Sequence, residues 1–555
     1  MAEESIIKNS NDFEVTEIWE KYRAGKDYLD SVNLFKRAEQ CYNFVNGDQW
    51  IGLESGNVKP PQLNILYPMM KSSTALVGQN NVNIVYSSMN YGENRKRLLL
   101  VCEALNRNSK KLWEKLKMDS KTWTVIEDAY ISGDAFVYFY DDGKNEEQRS
   151  IAAEIIDTVN VMYGDEQQAD LQEQPYILLI QRMALSKIKD IALSNGLSED
   201  DIVNILPDTD TELQINGETE VKGTQKATVI TKLWKEKDGV HFAKSTKNVI
   251  IQPDTATSLE YYPIANYSWK RKKGLARGVG DIWDKIPNQI SINKALYRLE
   301  QSCKSSAYPI KAYREQSLTA NQVAKRNQPG ANIAIKGRVD GNINNILSYI
   351  QPAQISSYAV SYWQDLINLT RSLSGAGDNL ENVNPEQASG TAINAVREAK
   401  ELNVNGQLNA YKQFIEDCAL IWYDMLCKYS PNGVVVYDDD DKPQLLTVRE
   451  LRALKVDIQA DVPSNDSTFT ALRDNALFNA LTNQQISFEE YVGALSDESI
   501  APKSAFEKII EARAQAENEQ AGLEEGRFNN FMSASGQAPQ ATQEATTNEM
   551  QPLQY

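Results

Sequence analysis

Between Tyr261 and Leu299 the chain reads YYPIANYSWKRKKGLARGVGDIWDKIPNQISINKALYRL, which joins a strand, a basic loop and a long helix without any catalytic group. Tyr261 to Tyr267 is aromatic and broken by Pro263, which suits a short edge strand. Gly274, Gly278 and Gly280 free the backbone of a loop that carries Lys270, Arg271, Lys272 and Lys273, and Asp281 offers an N-cap for the next helix. Ile282, Ile286, Ile290, Leu296 and Leu299 then keep helical spacing, with Pro287 expected to kink the second turn. A helix from Asp281 to Ser305 would be about 35 Å long, at roughly 1.5 Å per residue.

A second helix is expected from Ser356 to Ser374, where Ile355, Ala359, Tyr362, Leu366, Leu369 and Leu373 recur at a 4-3-4-3-4 spacing. Such a stripe requires a helical partner. The excursion from Tyr308 to Pro352 reads as a strand at Pro309 to Tyr313, a short helix near Thr319 to Lys325, a Pro329-Gly330 turn and a strand at Ala331 to Lys336. Lys325, Arg326, Lys336 and Arg338 make it locally basic, which suits either acidic partner surfaces or a soluble rim. An ordinary antiparallel helix pair in a globular core remains an open reading of the two stripes.

Ser374 to Asn384, SGAGDNLENVN, is too rich in glycine and asparagine for regular structure and holds Gly375, Gly377, Asp378, Asn379 and Glu381. Asn384 N-caps a further helix, with Pro385 in first position and Gln387 placed to close a capping box. Ala388, Ala392, Ala395, Ala399 and Leu402 give that helix a narrow face of small residues.

The rest of the chain predicts a helix-rich α+β protein. Helical patterns cover Asp27 to Asn43, the stretch from Asn64 to Leu76, Leu98 to Lys117, Ser120 to Ile131, Leu185 to Asn195 and Gln407 to Lys428. Strands are expected at Val82 to Tyr86, Gly133 to Tyr140, Ile177 to Arg182, Ala227 to Leu233 and Val249 to Ile251. Phe469 to Leu481, Ser487 to Leu495 and Ser504 to Ala516 read as helices, and the tail beyond Ala516 has too few apolar anchors to order itself.

Charge and composition exclude several functions. The chain carries 76 acidic against 58 basic side chains, a balance of −18, which opposes conventional gripping of duplex DNA. No apolar run reaches the roughly 18 residues of a membrane span, and the charged N-terminus lacks a secretory h-region, so a cytosolic origin is expected. Cys41, Cys102, Cys303, Cys418 and Cys427 form no C-x-x-C pair and read as buried small hydrophobes. The single histidine, His241, excludes a multi-histidine metal site within one subunit and reads as a residue of an exposed hairpin strand after Asp238-Gly239. There is no phosphate-loop motif, so the chain is not an ATP-driven motor. Asp438 to Asp441 would suit a divalent cation, but the flanking Val434 to Tyr437 and Leu445 to Val448 read as strands of a hairpin turn.

The run from Tyr261 to Leu299 resembles the approach to the first stem helix of tailed-bacteriophage portal proteins, in its Pro-broken aromatic strand, its G-x-G-D start and its PNQ-x-x-x-N helix at Pro287 to Asn293. Phe44-Val45-Asn46-Gly47-Asp48-Gln49-Trp50 is similar to the F-x-x-G-x-Q-W near the start of many portals, and the helix-GDAF-strand join at Gly133 to Phe136 also looks portal-like. The resemblance spans roughly Phe44 to Ala516. It implies a wing over 1–265, a basic loop and first stem helix over 266–305, a clip over 306–352 and a second stem helix over 353–374. A tunnel loop would occupy 375–390, a long wing helix and hairpin 391–463 and a helical crown 464–515, ahead of a disordered tail over 516–555.

The function this resemblance implies is a non-enzymatic ring of about twelve subunits at one capsid vertex, through which DNA is packaged and ejected. It implies no cofactor, metal or catalytic residue. Its partners would be the large terminase subunit, the head-completion adaptor or tail protein, the major capsid and scaffolding proteins and passing double-stranded DNA, with no membrane. Ser374, Gly375, Gly377, Asp378, Asn379, Glu381 and Asn384 would form the loop facing DNA, and Lys325, Arg326, Lys336 and Arg338 would meet partners at the clip. Lys270 to Lys273 would contact DNA or the shell protein. Another virion ring component such as a head-to-tail adaptor, or a metal-dependent nuclease using Asp438 to Asp441, are the competing readings.

Overall fold

Two residues in the left-handed region set the N-terminal path of the chain, in the computed structural model that describes residues 2–50, 60–78, 82–88, 95–143, 150–208, 225–307, 310–313, 321, 347–350, 357–373, 390–429, 434–437, 443–446, 456–461, 467–483, 485–495, 506 and 509–510. Asn33, at φ 53°, divides the expected single helix into α1 (Ala2–Ser31) and α2 (Leu34–Asn46). Asparagine tolerates that conformation better than most side chains, so the break needs no glycine. α3 (Leu66–Gly78), β1 (Asn83–Ser88) and α4 (Arg95–Leu116) come next, and Lys117 at φ 54° turns the chain into α5 (Met118–Ser132).

Gly133 at φ 114° stops α5 and lets β2 (Asp134–Asp141) enter the core, where its first six residues are buried. β2 lies between β3 (Ile151–Ile156) and, further along the chain, β9 (Ile264–Ser268), both antiparallel to it. β9 is therefore an edge strand, which is why Pro263 is tolerated just before it. β4 (Val161–Tyr163), β5 (Tyr176–Ala184), β6 (Lys226–Glu236), β7 (Gly239–Ser245) and β8 (Ile250–Ala256) make an antiparallel meander of five strands. α6 (Leu185–Ser194) and the short α7 (Glu199–Val203) leave it between β5 and β6.

α8 (Ile286–Ala307) starts after a single 3-10 turn at Trp283–Lys285, and Pro287 lies in its first turn rather than its second, where a proline costs no intrahelical hydrogen bond. The expected N-cap at Asp281 is not used as one: its carboxylate takes the ammonium groups of Lys270 and Lys285 instead. β10 (Ile310–Tyr313) and β11 (Leu347–Ile350) pair antiparallel, so the excursion after α8 returns beside its own start before α9 (Ser357–Leu373). β11 is a strand the sequence reading did not expect, and the one expected at 331–336 lies outside the described residues. α10 (Gly390–Tyr429) is one helix where two patterns were read.

β12 (Val434–Tyr437) pairs with β13 (Pro443–Leu446), two residues earlier than expected, and β14 (Val456–Asp461) crosses back to pair with β1. The main core joins α2 to α5, β2, β9 and α10 through Tyr130, Phe136, Phe139, Tyr267, Phe414 and Trp422. All these elements belong to one compact unit, Met1–Pro463. The other, Ser464–Tyr555, contains α11 (Ser467–Thr482) and α12 (Phe488–Ala494), the latter opened by a Ser487–Glu490 capping box. Leu477, Tyr491, Val492, Leu495 and Phe506 form its small core.

The fold is thus mixed helix and sheet, as expected. Among the described residues no helix is long and apolar enough to cross a membrane. Four cysteines are buried, but Cys303 on α8 is exposed, contrary to the expectation for all five.

Candidate functional site

Gln289 and Asn293 sit one turn apart on α8, and both are buried. Two amides on a buried helix face need partners, because each unpaired polar group costs about 1–3 kcal/mol there. They find them in two distant segments. Gln289 Nε2 donates to Leu63 O at 2.7 Å and its Oε1 accepts from Ile65 N at 3.2 Å. Asn293 Oδ1 accepts from Leu63 N at 3.1 Å, and its Nδ2 donates to Gln49 Oε1 at 2.6 Å. Gln49 Nε2 in turn reaches Phe44 O at 2.7 Å, Gln62 Nε2 reaches Gly47 O at 2.7 Å, and Asn64 Nδ2 reaches Val45 O at 2.8 Å. The F-x-x-G-x-Q-W segment, Pro61 to Asn64 and PNQ-x-x-x-N are therefore one polar joint that ties α8 to α2 and α3. The signal in the sequence was the pair of amides four residues apart on a helix otherwise patterned as apolar.

α9 lies against α8 and the start of α3, through Ile367 with Trp363 and Leu366 against Ile292, Ile65 and Met69. The expected stripe is not the face that packs. Tyr362, Leu369 and Leu373 are 51 %, 64 % and 71 % exposed, whereas Ile367 and Thr370 are buried. The packed set is the stripe displaced by one residue, a rotation of about 100° at roughly 3.6 residues per turn. Leu366 stands at the border of both faces. Among the described residues, Tyr362, Leu369 and Leu373 thus form an exposed apolar run on α9. On α8, Ile282 and Ile286 are buried and Ile290 and Leu296 are half-buried, but Ile282 precedes the helix and the residue facing α9 is Ile292.

The basic loop is held by close backbone contact. A Cβ at Gly278 would lie 2.7 Å from Gly133 O and Asp134 Oδ1, and one at Gly280 would lie 2.5 Å from Ile131 O. Gly278 and Gly280 are thus required for proximity, and of the three loop glycines only Gly274 has a positive φ. Buried Asp134 accepts from Ser268 Oγ at 2.6 Å and from Gly278 N at 2.7 Å, and burial raises its pKa above the ordinary carboxylate range. Buried Arg277 lies over the Tyr163 ring, bonds Glu166 through Nε and Nη2 at 2.9–3.0 Å and reaches Val161 O at 2.7 Å. The loop's cations divide accordingly: Lys270 is tied to Asp281, whereas Arg271, Lys272 and Lys273 remain exposed. Arg271 also borders an open cleft of about 430 Å³ with Gln413 and Asp417, and burial lifts the Asp417 carboxyl to about 6.

His241 does lie on a strand, β7, but it is buried, contrary to expectation. Its Nδ1 meets Asp254 Oδ1 at 2.7 Å and its Nε2 meets Asp238 Oδ1 at 2.9 Å, and these two carboxylates raise its pKa. The stretch Ser374 to Asn384, the cations Lys325, Arg326, Lys336 and Arg338, and Asp438 to Asp441 lie outside the described residues. Compared with known proteins, the chain matches no family model and no curated protein.

Proposed function

We propose that the chain is the subunit of a portal ring of a tailed bacteriophage, a non-enzymatic channel at one capsid vertex for DNA packaging and ejection. The observation that carries this reading is the apolar stripe that α9 exposes among the described residues. Tyr362, Leu369 and Leu373 recur at helical spacing on a helix already packed through its adjacent face, so this exposed surface is suited to a neighbouring copy. Two further features support it. α8 and α9 pack together and flank an excursion whose ends pair as a two-stranded ribbon, the order stem, clip, stem. Two of the segments that carry the resemblance, Phe44 to Trp50 and Pro287 to Asn293, also meet in one polar joint at the base of α8.

In this reading α8 and α9 are the stem, 306–352 is the clip that meets the large terminase subunit and then the adaptor or tail protein, and 464–515 supplies the crown. Capsid and scaffolding proteins would surround the ring. The balance of −18 per subunit keeps the channel from binding phosphates tightly as DNA slides. The test is the native mass of the purified protein together with electron micrographs. Rings of about twelve subunits with a central hole are expected; a stable monomer across salt and protein concentration would overturn the reading.

A further inference from the structure

We propose that the β6–β7 hairpin end of the five-stranded sheet binds a divalent transition-metal ion of the zinc class, with His241, Glu236 and Asp254 as its protein ligands. One ligand atom from each of the three lies within 4.8 Å of the others. A tetrahedral ion with bonds of about 2.0–2.1 Å needs its ligand atoms about 3.3 Å apart. Glu236 and Asp254 are exposed side chains that can rotate over that difference, while His241 is fixed in the sheet.

The hydrogen count at the imidazole favours a cation. Both ring nitrogens stand at hydrogen-bonding distance from carboxylates, Nδ1 from Asp254 at 2.7 Å and Nε2 from Asp238 at 2.9 Å. A neutral imidazole has one N–H to give. If Nε2–H donates to Asp238, the Nδ1 lone pair faces the Asp254 oxygen, and a positive charge must lie between them. A bound proton would serve that one contact; a metal ion would serve it and also draw in Glu236, whose Oε1 accepts from the Trp234 indole. Asp238 then takes the part of the outer carboxylate that orients a metal-bound imidazole through its other nitrogen.

The frame is rigid. Gly239, at φ 134°, closes the hairpin so tightly that a Cβ there would lie 2.7 Å from Leu259 O. His241 is paired with Trp234 on β6 and with Ala256 on β8, two residues beyond Asp254. The Trp234 indole donates to Glu236 Oε1 at 2.9 Å, and its ring lies 5.6 Å from the imidazole, so one side chain steadies two ligands. One nitrogen and two carboxylate donors suit a borderline ion, whereas magnesium and calcium prefer oxygen alone. Water would complete the coordination.

The site belongs to a single subunit and does not depend on the ring. The test is calorimetric titration of the full chain, stripped with chelator, with zinc chloride. One zinc ion per subunit is expected, with affinity lowered at least tenfold by Glu236→Gln and by Asp254→Asn. Both positions are exposed, and the circular dichroism of both variants should match the parent. Cobalt(II) should give visible ligand-field bands without an intense near-ultraviolet thiolate band. No zinc binding by the parent, equal binding by both variants, a thiolate band pointing to exposed Cys303, or magnesium binding as tightly as zinc would each overturn the proposal.

Discussion

Asp128 shows how a single half-buried contact makes stability depend on pH. The Tyr42 hydroxyl donates to its Oδ1 at 2.6 Å, yet burial, with Asp157 and Glu127 nearby, lifts the carboxyl from 3.8 to about 7. The folded chain therefore keeps a proton that the unfolded chain has released. Its stabilising effect is complete below about pH 4 and is lost as the pH rises through about 7. Asp128→Asn keeps an acceptor for Tyr42 and removes the ionisation. The variant should gain on the order of 1–2 kcal/mol at pH 8 and nothing at pH 4, measured as unfolding midpoints across that range. An equal shift at both pH values would show that the carboxyl does not titrate as described. The residues of the α8 joint were legible in kind but not in partner. Gln289 and Asn293 stand out as amides on an apolar pattern, but their partners lie more than two hundred positions away, and local spacing carries no information about them. Gly278 and Gly280 illustrate the same limit: a glycine kept for close approach looks, in a sequence, like one kept for φ.

At the scale of elements, periodicity identified α9 and its stripe but not what covers the stripe. A stripe reports that a face must be covered. It does not say whether the cover comes from the same chain. Here Ile367, one residue over, meets α3 and α8, Thr370 is buried on the same side, and Leu369 and Leu373 are exposed. Replacing both leucines with lysine should therefore leave the subunit's unfolding midpoint within about 0.5 kcal/mol of the parent, as for surface positions. Association should weaken by about 3–6 kcal/mol at each interface, the hydrophobic contribution of two leucines. Sedimentation velocity reads the two effects apart. Unchanged assembly would remove α9 from the interface, and loss of the fold would show that these leucines are covered within the chain.

At the scale of the whole molecule, the two compact units make a separable prediction. A chain ending at residue 463 keeps β14, which supplies a partner for every residue of β1 from Asn83 to Ser88. Its near-ultraviolet circular dichroism and its main unfolding transition should match those of the full chain. Ending at 455 removes β14 and leaves β1 as an unpaired edge beside Tyr86, whose hydroxyl bonds Ala419 O at 3.0 Å. That chain should unfold earlier or aggregate; equal stability of the two truncations would show that β14 contributes nothing. The sequence by itself determined the helix-rich α+β class, the position of most helices and strands, and the acidic charge that opposes tight DNA binding, because each of these depends on composition or on neighbours a few residues apart. Only the tertiary structure decided that β14 returns to β1, that the segments around Gln49 and Gln62 meet α8 at one joint, that His241 lies between two carboxylates and that Leu369 and Leu373 are exposed. Each of these depends on which distant surfaces meet when the chain packs, and no local pattern fixes that.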